Sequence, residues 1–297
     1  MQLNSITLAD FIEMKLPPRR YIIDPFLPER GLIEIYARTG IGKTTFAMSI
    51  AMAAATGKHF QKWAVHRDWN VLYIDGEMSA TEMQSRAQAA AQYFGCDAND
   101  IENFRLICHD LEGGLPDIGS DEGQDWFERD VQWADIIFLD NISCLWWSGR
   151  ENDADAWSVI QQWLLRLRAA GKSIVMLHHS GKNGSSRGSS RRHDVLDTVI
   201  KLDRPFNYTQ QEGAKFEVHF EKSRGFTGDA ADPVGLCHTI VDGISCWESF
   251  SLGNEKAQQV AALLKAGKTQ NEIANELGVS QPEVSRRKQA ATAKGLL

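Results

Sequence analysis

The fold of this 297-residue chain is decided by the stretch Ala37-Arg-Thr-Gly-Ile-Gly-Lys43-Thr44. It follows the apolar run Leu32–Tyr36 and precedes a helical pattern, which is the strand–loop–helix context of a phosphate-binding P-loop. Gly40 and Gly42 allow the backbone N–H groups to face phosphates, and the N-terminus of the next helix adds a favourable dipole. The stretch therefore predicts a nucleotide site at the end of a buried strand.

The side chains of this loop predict a nucleoside triphosphate with Mg²⁺. Lys43 supplies a positive charge to the β- and γ-phosphates, and the Thr44 hydroxyl is placed to ligate Mg²⁺. Ala37 stands where a glycine is usual, and a small residue fits there if its φ is negative. A glycine-rich turn without a ligand is the alternative. The sequence has no guanine-recognition motif Asn-Lys-x-Asp, which favours ATP. The predicted nucleotide-binding residues are Ala37, Arg38, Thr39, Gly40, Ile41, Gly42, Lys43, Thr44 and Thr45.

Apolar runs alternate with helical patterns around the loop, which predicts an α/β fold with a mostly parallel central sheet flanked by helices. After about Leu252 the pattern changes to short helices, so we predict an α/β domain at 1–252 and a small all-α domain at 253–297. The predicted strands are Leu32–Tyr36, Val71–Asp75, Phe104–Cys108, Ile136–Asp140, Ser173–His178, Val199–Leu202, Phe216–Lys222, Leu236–Val241 and Cys246–Phe250. The predicted helices in the first domain are Thr44–Thr56, Thr81–Phe94 and Asp153–Ala170.

Composition limits the class of protein. No stretch approaches the about 20 apolar residues of a membrane helix, and Met1 to Lys15 lacks the pattern of a signal peptide, so we expect a cytoplasmic protein without a membrane partner. The five cysteines form no Cys-x-x-Cys pair, which argues against zinc or a disulfide framework. The net charge of −7 is unfavourable for nucleic acid, but the segment from Glu255 to the end has seven Lys or Arg against four Glu.

Two acidic residues follow predicted strands and complete the nucleotide site. Asp140 ends a buried strand, which places its carboxylate at the carboxyl edge of the sheet, where it can hold Mg²⁺ through water. Glu77 lies just past another strand, where it can orient or deprotonate the attacking water. Asp75 competes with Glu77 for that role and is otherwise structural.

With these residues assembled, the chain resembles the RecA-like ATPases, and most of all hexameric replicative helicases of the plasmid RepA type. Helicases of the DnaB type and RadA-like proteins are more distant. The resemblance spans about Tyr21 to Phe250 and rests on five motifs. These are Pro28-Glu-Arg-Gly-Leu-Ile-Glu-Ile35, Tyr73-Ile-Asp-Gly-Glu77, Ile137-Phe-Leu-Asp140-Asn141, Val175-Met-Leu-His178-His179 and Phe220-Glu-Lys222-Ser-Arg224-Gly225.

The resemblance implies roles for residues outside the P-loop. His178 or His179 is implied as the sensor of the γ-phosphate, while the other histidine packs against the sheet. Lys222 and Arg224 are implied to reach the nucleotide site of an adjacent subunit, where an arginine finger neutralises charge in the transition state. This role implies a homo-oligomer, with a hexamer expected. A solvated basic strand is the alternative for that pair.

Single-stranded DNA is the implied partner in the channel of such a ring. The basic, glycine- and serine-rich segment Gly181–Arg192 is predicted to be a mobile loop that contacts phosphates without sequence preference. Its candidate residues are Lys182, Arg187, Arg191 and Arg192. The loop Asn141–Asp155 contains Trp146, Trp147 and Arg150, and its tryptophans either stack on bases or pack between subunits.

The C-terminal residues resemble a helix-turn-helix. Gly278 serves the turn, Ser280 caps the second helix, and Pro282 lies in its first turn. The predicted core consists of Ile273, Leu277, Val279 and Val284 beside the small residue Ala274. The second helix offers Arg286, Arg287 and Lys288 to a groove or to phosphates. Docking of another protein is the alternative use of such a domain.

Together these features predict a ring-forming, Mg²⁺- and ATP-dependent DNA helicase or DNA-stimulated ATPase of a plasmid, phage or mobile element. The main alternative is a nucleotide-dependent DNA-binding regulator or recombination mediator that does not unwind DNA. A signalling ATPase of the clock-protein type is a weaker alternative, because the loop and the C-terminal segment are basic.

Overall fold

The structure is a computed structural model that describes residues 5–148, 154–181, 190–206, 208–250 and 252–297, without the side chains of 154–156, 190–192 and 253–255. Its strands are β1 (Tyr21–Ile23), β2 (Leu27–Pro28), β3 (Leu32–Ala37), β4 (Val71–Asp75), β5 (Phe104–Cys108), β6 (Ile136–Asp140), β7 (Ser173–His179), β8 (Thr198–Asp203), β9 (Ala214–Ser223), β10 (Val234–Val241) and β11 (Ile244–Phe250). Its helices are α1 (Leu8–Glu13), α2 (Lys43–Thr56), α3 (Ala80–Tyr93), α4 (His109–Glu112), α5 (Asp121–Trp126), α6 (Glu128–Trp133), α7 (Ile142–Leu145), α8 (Ala154–Ala169), α9 (Leu252–Lys265), α10 (Gln270–Leu277) and α11 (Gln281–Ala293).

Within the described residues, nine strands form one sheet in the order β11-β10-β9-β8-β3-β7-β6-β4-β5. The strands from β8 to β5 in this order run parallel, and β9, β10 and β11 extend the sheet as antiparallel neighbours. Every predicted strand is present, with ends that differ by at most two residues, and the predicted mostly parallel sheet is confirmed.

Helices cover both faces of the sheet, because alternate side chains of the parallel strands point to opposite sides. On one face Ile35, Tyr73 and Phe138 pack with the buried residues of α2. On the other face Tyr36, Leu139 and their neighbours pack with α8 and with the short helices after β5. A buried parallel sheet of this kind has near-continuous apolar strands, which is why the apolar runs located the strands correctly.

The three C-terminal helices pack on one another around two small clusters of apolar side chains. Ile273 and Val284, both fully buried, meet Val260 in the larger cluster. Thr269 and Glu272 form a capping box at the start of α10, and Gly278 ends that helix in the left-handed conformation with φ of 62°. Ser280 caps α11. The predicted positions of core and caps therefore agree with the described helices.

The structure also bears on membrane association. Among the described residues, none of the helices combines the length and the apolar character needed to span a bilayer.

We expect the C-terminal helices to unfold as a unit separate from the sheet. Ile273→Ala leaves a cavity in their core, and a truncation of this kind costs about 2–5 kcal/mol. Hydrogen exchange should show lost protection in α9–α11 and unchanged protection in β3, β6 and β7. Lys265→Ala, at an exposed position of α9, is the control. Equal loss of protection in the sheet would show that the helices belong to the same cooperative unit.

Candidate nucleotide site

Four strands deliver the candidate residues to one edge of the sheet. β3 leads into the P-loop, while β4, β6 and β7 end at Asp75, Asp140 and His179. In the parallel register Asp75 pairs with Asp140, and Ala37 pairs with His179. Loops at the carboxyl ends of parallel strands meet outside the sheet, which is the usual place for a ligand in an open α/β fold.

The P-loop has the backbone that its glycines were expected to provide. Gly40 and Gly42 have φ of 77° and 114°, values that L side chains rarely adopt. A Cβ on Gly42 would also lie 2.7 Å from the Cβ of Ala214, so that position excludes a larger residue on steric grounds as well. Ala37, the position that departs from the usual pattern, is the last residue of β3 and has no positive φ.

Lys43 is the first residue of α2 and its side chain is buried beneath the loop. Its Nζ donates a hydrogen bond to the carbonyl of His178 at 3.0 Å and lies 3.5 Å from Nδ1 of His179. The ammonium is therefore held at the carboxyl edge between the P-loop and β7. A phosphate in the cleft would meet this charge together with the N-terminus of α2.

Asp140 is 2% exposed and accepts a hydrogen bond from the Tyr73 hydroxyl at 2.7 Å. Burial raises the pKa of its carboxyl above the ordinary value, while Tyr73, the Lys43 ammonium and a hydrogen bond with Thr44 act in the opposite direction. A carboxylate and a hydroxyl side by side beneath a phosphate loop are the oxygen ligands that Mg²⁺ prefers. The donor set of Thr44 and Asp140 thus fits Mg²⁺.

Glu77 lies at the mouth of the cleft as part of a cluster with Asn141 and His179. Its Oε2 accepts a hydrogen bond from Nδ2 of Asn141 and lies 3.5 Å from Nε2 of His179. The Asn141 Nδ2 is also 3.2 Å from the same imidazole nitrogen. The other nitrogen, Nδ1, is 3.3 Å from the Thr39 hydroxyl. The imidazole of His179 therefore connects the P-loop to the carboxylate of Glu77.

The two histidines occupy different environments because adjacent strand residues point to opposite faces. His179 lines the cleft together with Glu77 and the P-loop residues. His178 is 1% exposed, and its Nδ1 lies 2.9 Å from the carbonyl of His179. The geometry thus supports His179 as the residue that faces a γ-phosphate, and it places His178 in the packing of the sheet.

Asp75 supports the loop that carries Glu77. Its carboxylate accepts hydrogen bonds from the backbone N–H groups of Glu77 at 3.4 Å and of Met78 at 3.2 Å. Cys108 donates its thiol to the same carboxylate at 3.7 Å. Asp75 is fully buried, and this geometry fits the structural alternative better than a role as catalytic base.

Two arginines contact the P-loop region although their spacing in the sequence did not identify them. Arg86, on α3, donates to the Thr45 hydroxyl at 2.6 Å and lines the same cleft of about 240 Å³. Arg204, after β8, donates to the Gly40 carbonyl at 2.5 Å and lies over the Tyr208 ring at 3.6 Å. Asn141 was also missed as a site residue, although it directly follows Asp140.

Lys222 and Arg224 lie at the opposite edge of the sheet from the P-loop. Ser223, between them, pairs with Thr198 at the start of β8, whereas Ala214 at the other end of β9 contacts Gly42. Lys222 donates to the carbonyl of His193, and Arg224 donates to that of Asp194 at 2.6 Å. β9 ends at Ser223, so Arg224 lies one residue beyond the strand on which it was predicted.

Most residues of the predicted nucleic-acid loop lie outside the residues that the structure describes. Lys182, Arg187 and Arg150 are not among the described residues, and neither are the side chains of Arg191 and Arg192. The backbone from Ser190 to Val195 forms a 3₁₀ helix, so the predicted loop Gly181–Arg192 overlaps regular structure at its last three residues. This correction shortens the predicted loop at its C-terminal end.

The two tryptophans of the loop after β6 are not equivalent. Trp146 is 2% exposed and packs against Trp157 with ring centroids 5.9 Å apart, so it does not offer a face to a base. Trp147 is 67% exposed. Of the pair, Trp147 alone has a ring that a base or another subunit can reach.

The basic residues of α11 are partly neutralised by Glu283. Its carboxylate pairs with Arg286 at 2.6 Å and with Arg287 at 3.0 Å. The Arg287 side chain is 15% exposed, whereas that of Arg286 is 74% exposed. Lys288 is also exposed, so Arg286 and Lys288 are the residues of this group that are open to a phosphate.

Comparisons with known proteins agree with this geometry. A family model described as an AAA domain matches residues 1–185. A KaiC-like protein from the archaeon Pyrococcus horikoshii superimposes with a TM-score of 0.53 at 17% identity, over 76% of this chain and 93% of that one. The flagellar accessory protein FlaH from Methanocaldococcus jannaschii gives a TM-score of 0.53 at 14% identity, over 74% and 90%. At these identities the likeness shows the fold alone, and it confirms the predicted RecA-like P-loop fold. A search of curated proteins found no match.

Asp75 should make stability depend on pH. Burial raises the pKa of its carboxyl from 3.8 to about 6, so between these values the folded chain binds a proton that the unfolded chain has released. The free energy of unfolding should therefore fall as the pH rises from about 4 to about 6, by about 1–3 kcal/mol, and then level off.

Asp75→Asn keeps an oxygen acceptor for the two backbone N–H groups and removes the titration. Urea unfolding of both proteins across this pH range measures the difference. An equal slope in the two proteins would mean that Asp75 is not the group responsible.

Proposed function

The chain belongs to the AAA domain family, and on this premise we propose that it is a Mg²⁺- and ATP-dependent ATPase that forms a ring and is stimulated by DNA. Its proposed activity is that of a helicase in the replication of a plasmid, phage or mobile element. The observation that carries the proposal is the cluster of Glu77, Asn141 and His179 facing Lys43 across one cleft. A P-loop that only bound nucleotide would not need a carboxylate in that position.

In the proposed reaction, Glu77 orients the water that attacks the γ-phosphate in line with the leaving group. Asn141 fixes the carboxylate of Glu77 by a hydrogen bond, and Lys43 offsets the phosphate charge. Thr44 and Asp140 would hold Mg²⁺, which when bound offsets negative charge on the β- and γ-phosphates. His179 spans from Thr39 to Glu77, so its imidazole is placed to register the loss of the γ-phosphate.

The proposed ring rests on Lys222 and Arg224. Both lie at the far edge of the sheet from the P-loop of their own chain, so they could serve a nucleotide only in another copy. In the single chain they bind backbone carbonyls at 193 and 194, and they would have to leave these partners to act as a finger.

We propose DNA as the partner because the chain has a cluster of basic residues and one exposed tryptophan ring. The segment after β7 has Lys182, Arg187, Arg191 and Arg192, and Trp147, in the loop after β6, presents an exposed indole. Basic residues and a stacking surface are the two components of non-specific single-strand binding. The helices after Leu252 add Arg286 and Lys288, which would contact phosphates.

Strand displacement tests the proposed motor. With ATP and Mg²⁺ the protein should separate a forked DNA duplex, and Lys43→Ala should reduce both hydrolysis and unwinding by about 100-fold or more, because a charge made for the transition state is lost. Lys62→Ala, at an exposed lysine that does not line the cleft, should behave as wild type.

The same assay separates the alternatives. Nucleotide-dependent binding to duplex DNA without displacement would replace the helicase by the regulator. The absence of hydrolysis with and without DNA would overturn the proposed ATPase itself.

Mixed oligomers test whether the site is shared. Lys43→Ala and Arg224→Ala subunits should each be inactive alone, since loss of a finger costs about 10³–10⁵ in rate. Mixed together, they should regain part of the activity, because an intact P-loop of one subunit can meet an intact finger of the other. A single-turnover ATPase assay on the mixture measures the recovery, and mixing each variant with itself is the control. No recovery in a mixture that sedimentation shows to be co-assembled would contradict the shared site.

A further inference from the structure

Tyr73 has a polar group in the core of the sheet, at the centre of β4. Its ring is fully buried, and its hydroxyl donates a hydrogen bond to Oδ2 of Asp140 at 2.7 Å. Tyr73 lies beside β6, where its partner in the register is Phe138. The hydroxyl thus reaches from the middle of one strand to the end of the next, towards the carboxylate beneath the P-loop.

The position of this hydroxyl is fixed by ring stacking. Tyr73 lies between Phe138, with centroids 5.5 Å apart and planes at 11°, and Phe104, at 6.4 Å and 16°. A ring packed on both faces has little freedom to rotate about its first side-chain torsion. The stack therefore sets where the hydrogen bond to Asp140 can form.

The Asp140 carboxylate is contacted from two sides. Tyr73 holds Oδ2 from the core, while Thr44 interacts with the carboxyl from the P-loop. For filling space, phenylalanine would serve as well as tyrosine, as its neighbours Phe104 and Phe138 illustrate. Packing therefore explains the ring of Tyr73 but not its hydroxyl.

We propose that Tyr73 is a positioning residue for the metal side of the site, which orients the Asp140 carboxylate towards Thr44. This inference rests on the proposed function, because it takes Asp140 and Thr44 as the residues that hold Mg²⁺. A hydrogen-bonded partner behind a ligating group commonly changes metal affinity by about 10–100-fold when it is removed.

Tyr73→Phe tests the proposal, since it removes one oxygen and keeps the ring. Titration of Mg²⁺ into the protein with a fluorescent ATP analogue should show Mg²⁺ binding weakened about 10-fold. The affinity for the same analogue in EDTA should stay as in wild type, because Lys43 and the P-loop are unchanged.

Tyr36→Phe is the matched control. It also removes a buried hydroxyl that donates to a carboxylate, that of Glu221 at 2.6 Å, but at a site that does not line the cleft. Both variants lose a buried hydrogen bond, so a similar fall in melting temperature is expected in each. Only Tyr73→Phe should change the Mg²⁺ affinity, and an equal change in both would overturn the inference.

A double variant shows whether Tyr73 acts through Asp140. In an Asp140→Asn background, Tyr73→Phe should cause no further loss of Mg²⁺ affinity, because the group that it orients no longer ligates. Additive losses, or wild-type Mg²⁺ affinity in Tyr73→Phe, would overturn the inference. If the wild-type protein binds the analogue equally with Mg²⁺ and with EDTA, the proposed function fails before any variant is compared.

Discussion

Burial of charge at the carboxyl edge of the sheet is the constraint on which the site depends. Lys43, Asp75 and Asp140 are 7%, 0% and 2% exposed, and a buried ionised group is costly unless it is paired or hydrogen-bonded. Each finds partners on a different element: Lys43 on β7, Asp140 on β4, and Asp75 on the loop after β4. Displacing β7 would remove the carbonyl partner of Lys43, and displacing β4 would remove the hydroxyl partner of Asp140. These contacts therefore fix the P-loop and the strand ends relative to one another.

The central parallel part of the sheet followed from local pattern because β3, β4, β6 and β7 are buried on both faces. Such strands are near-continuous apolar runs, and each run was bounded by polar or glycine residues that marked its ends. The P-loop was equally predictable, since Gly40 and Gly42 are needed for their positive φ, which is a local requirement of the loop. Asp140 and Glu77 could be placed because Asp140 ends one strand and Glu77 lies two residues beyond another, and the ends of these strands must meet at one edge.

The same reasoning could not identify residues whose roles depend on how strands pair. In the sequence, Tyr73 looks like one more apolar strand residue. Only the register of the strands shows that it lies beside Phe138 and within hydrogen-bonding distance of Asp140. The choice between His178 and His179 needed the phase of β7, because alternation alone says only that the two point in opposite directions. Arg86 reaches Thr45 from a neighbouring helix, a contact that depends on how α3 packs.

The sheet also separates the two halves of the proposed site. Lys222 lies eight residues along β9 from Ala214, which contacts Gly42, and at about 3.3 Å per residue this is a span of about 26 Å. A paired strand cannot fold back on itself, so Lys222 and Arg224 cannot approach the Lys43 of their own chain without dismantling the sheet. Either these residues only anchor the 3₁₀ helix at Ser190–Val195, or a second copy supplies the phosphate that they meet.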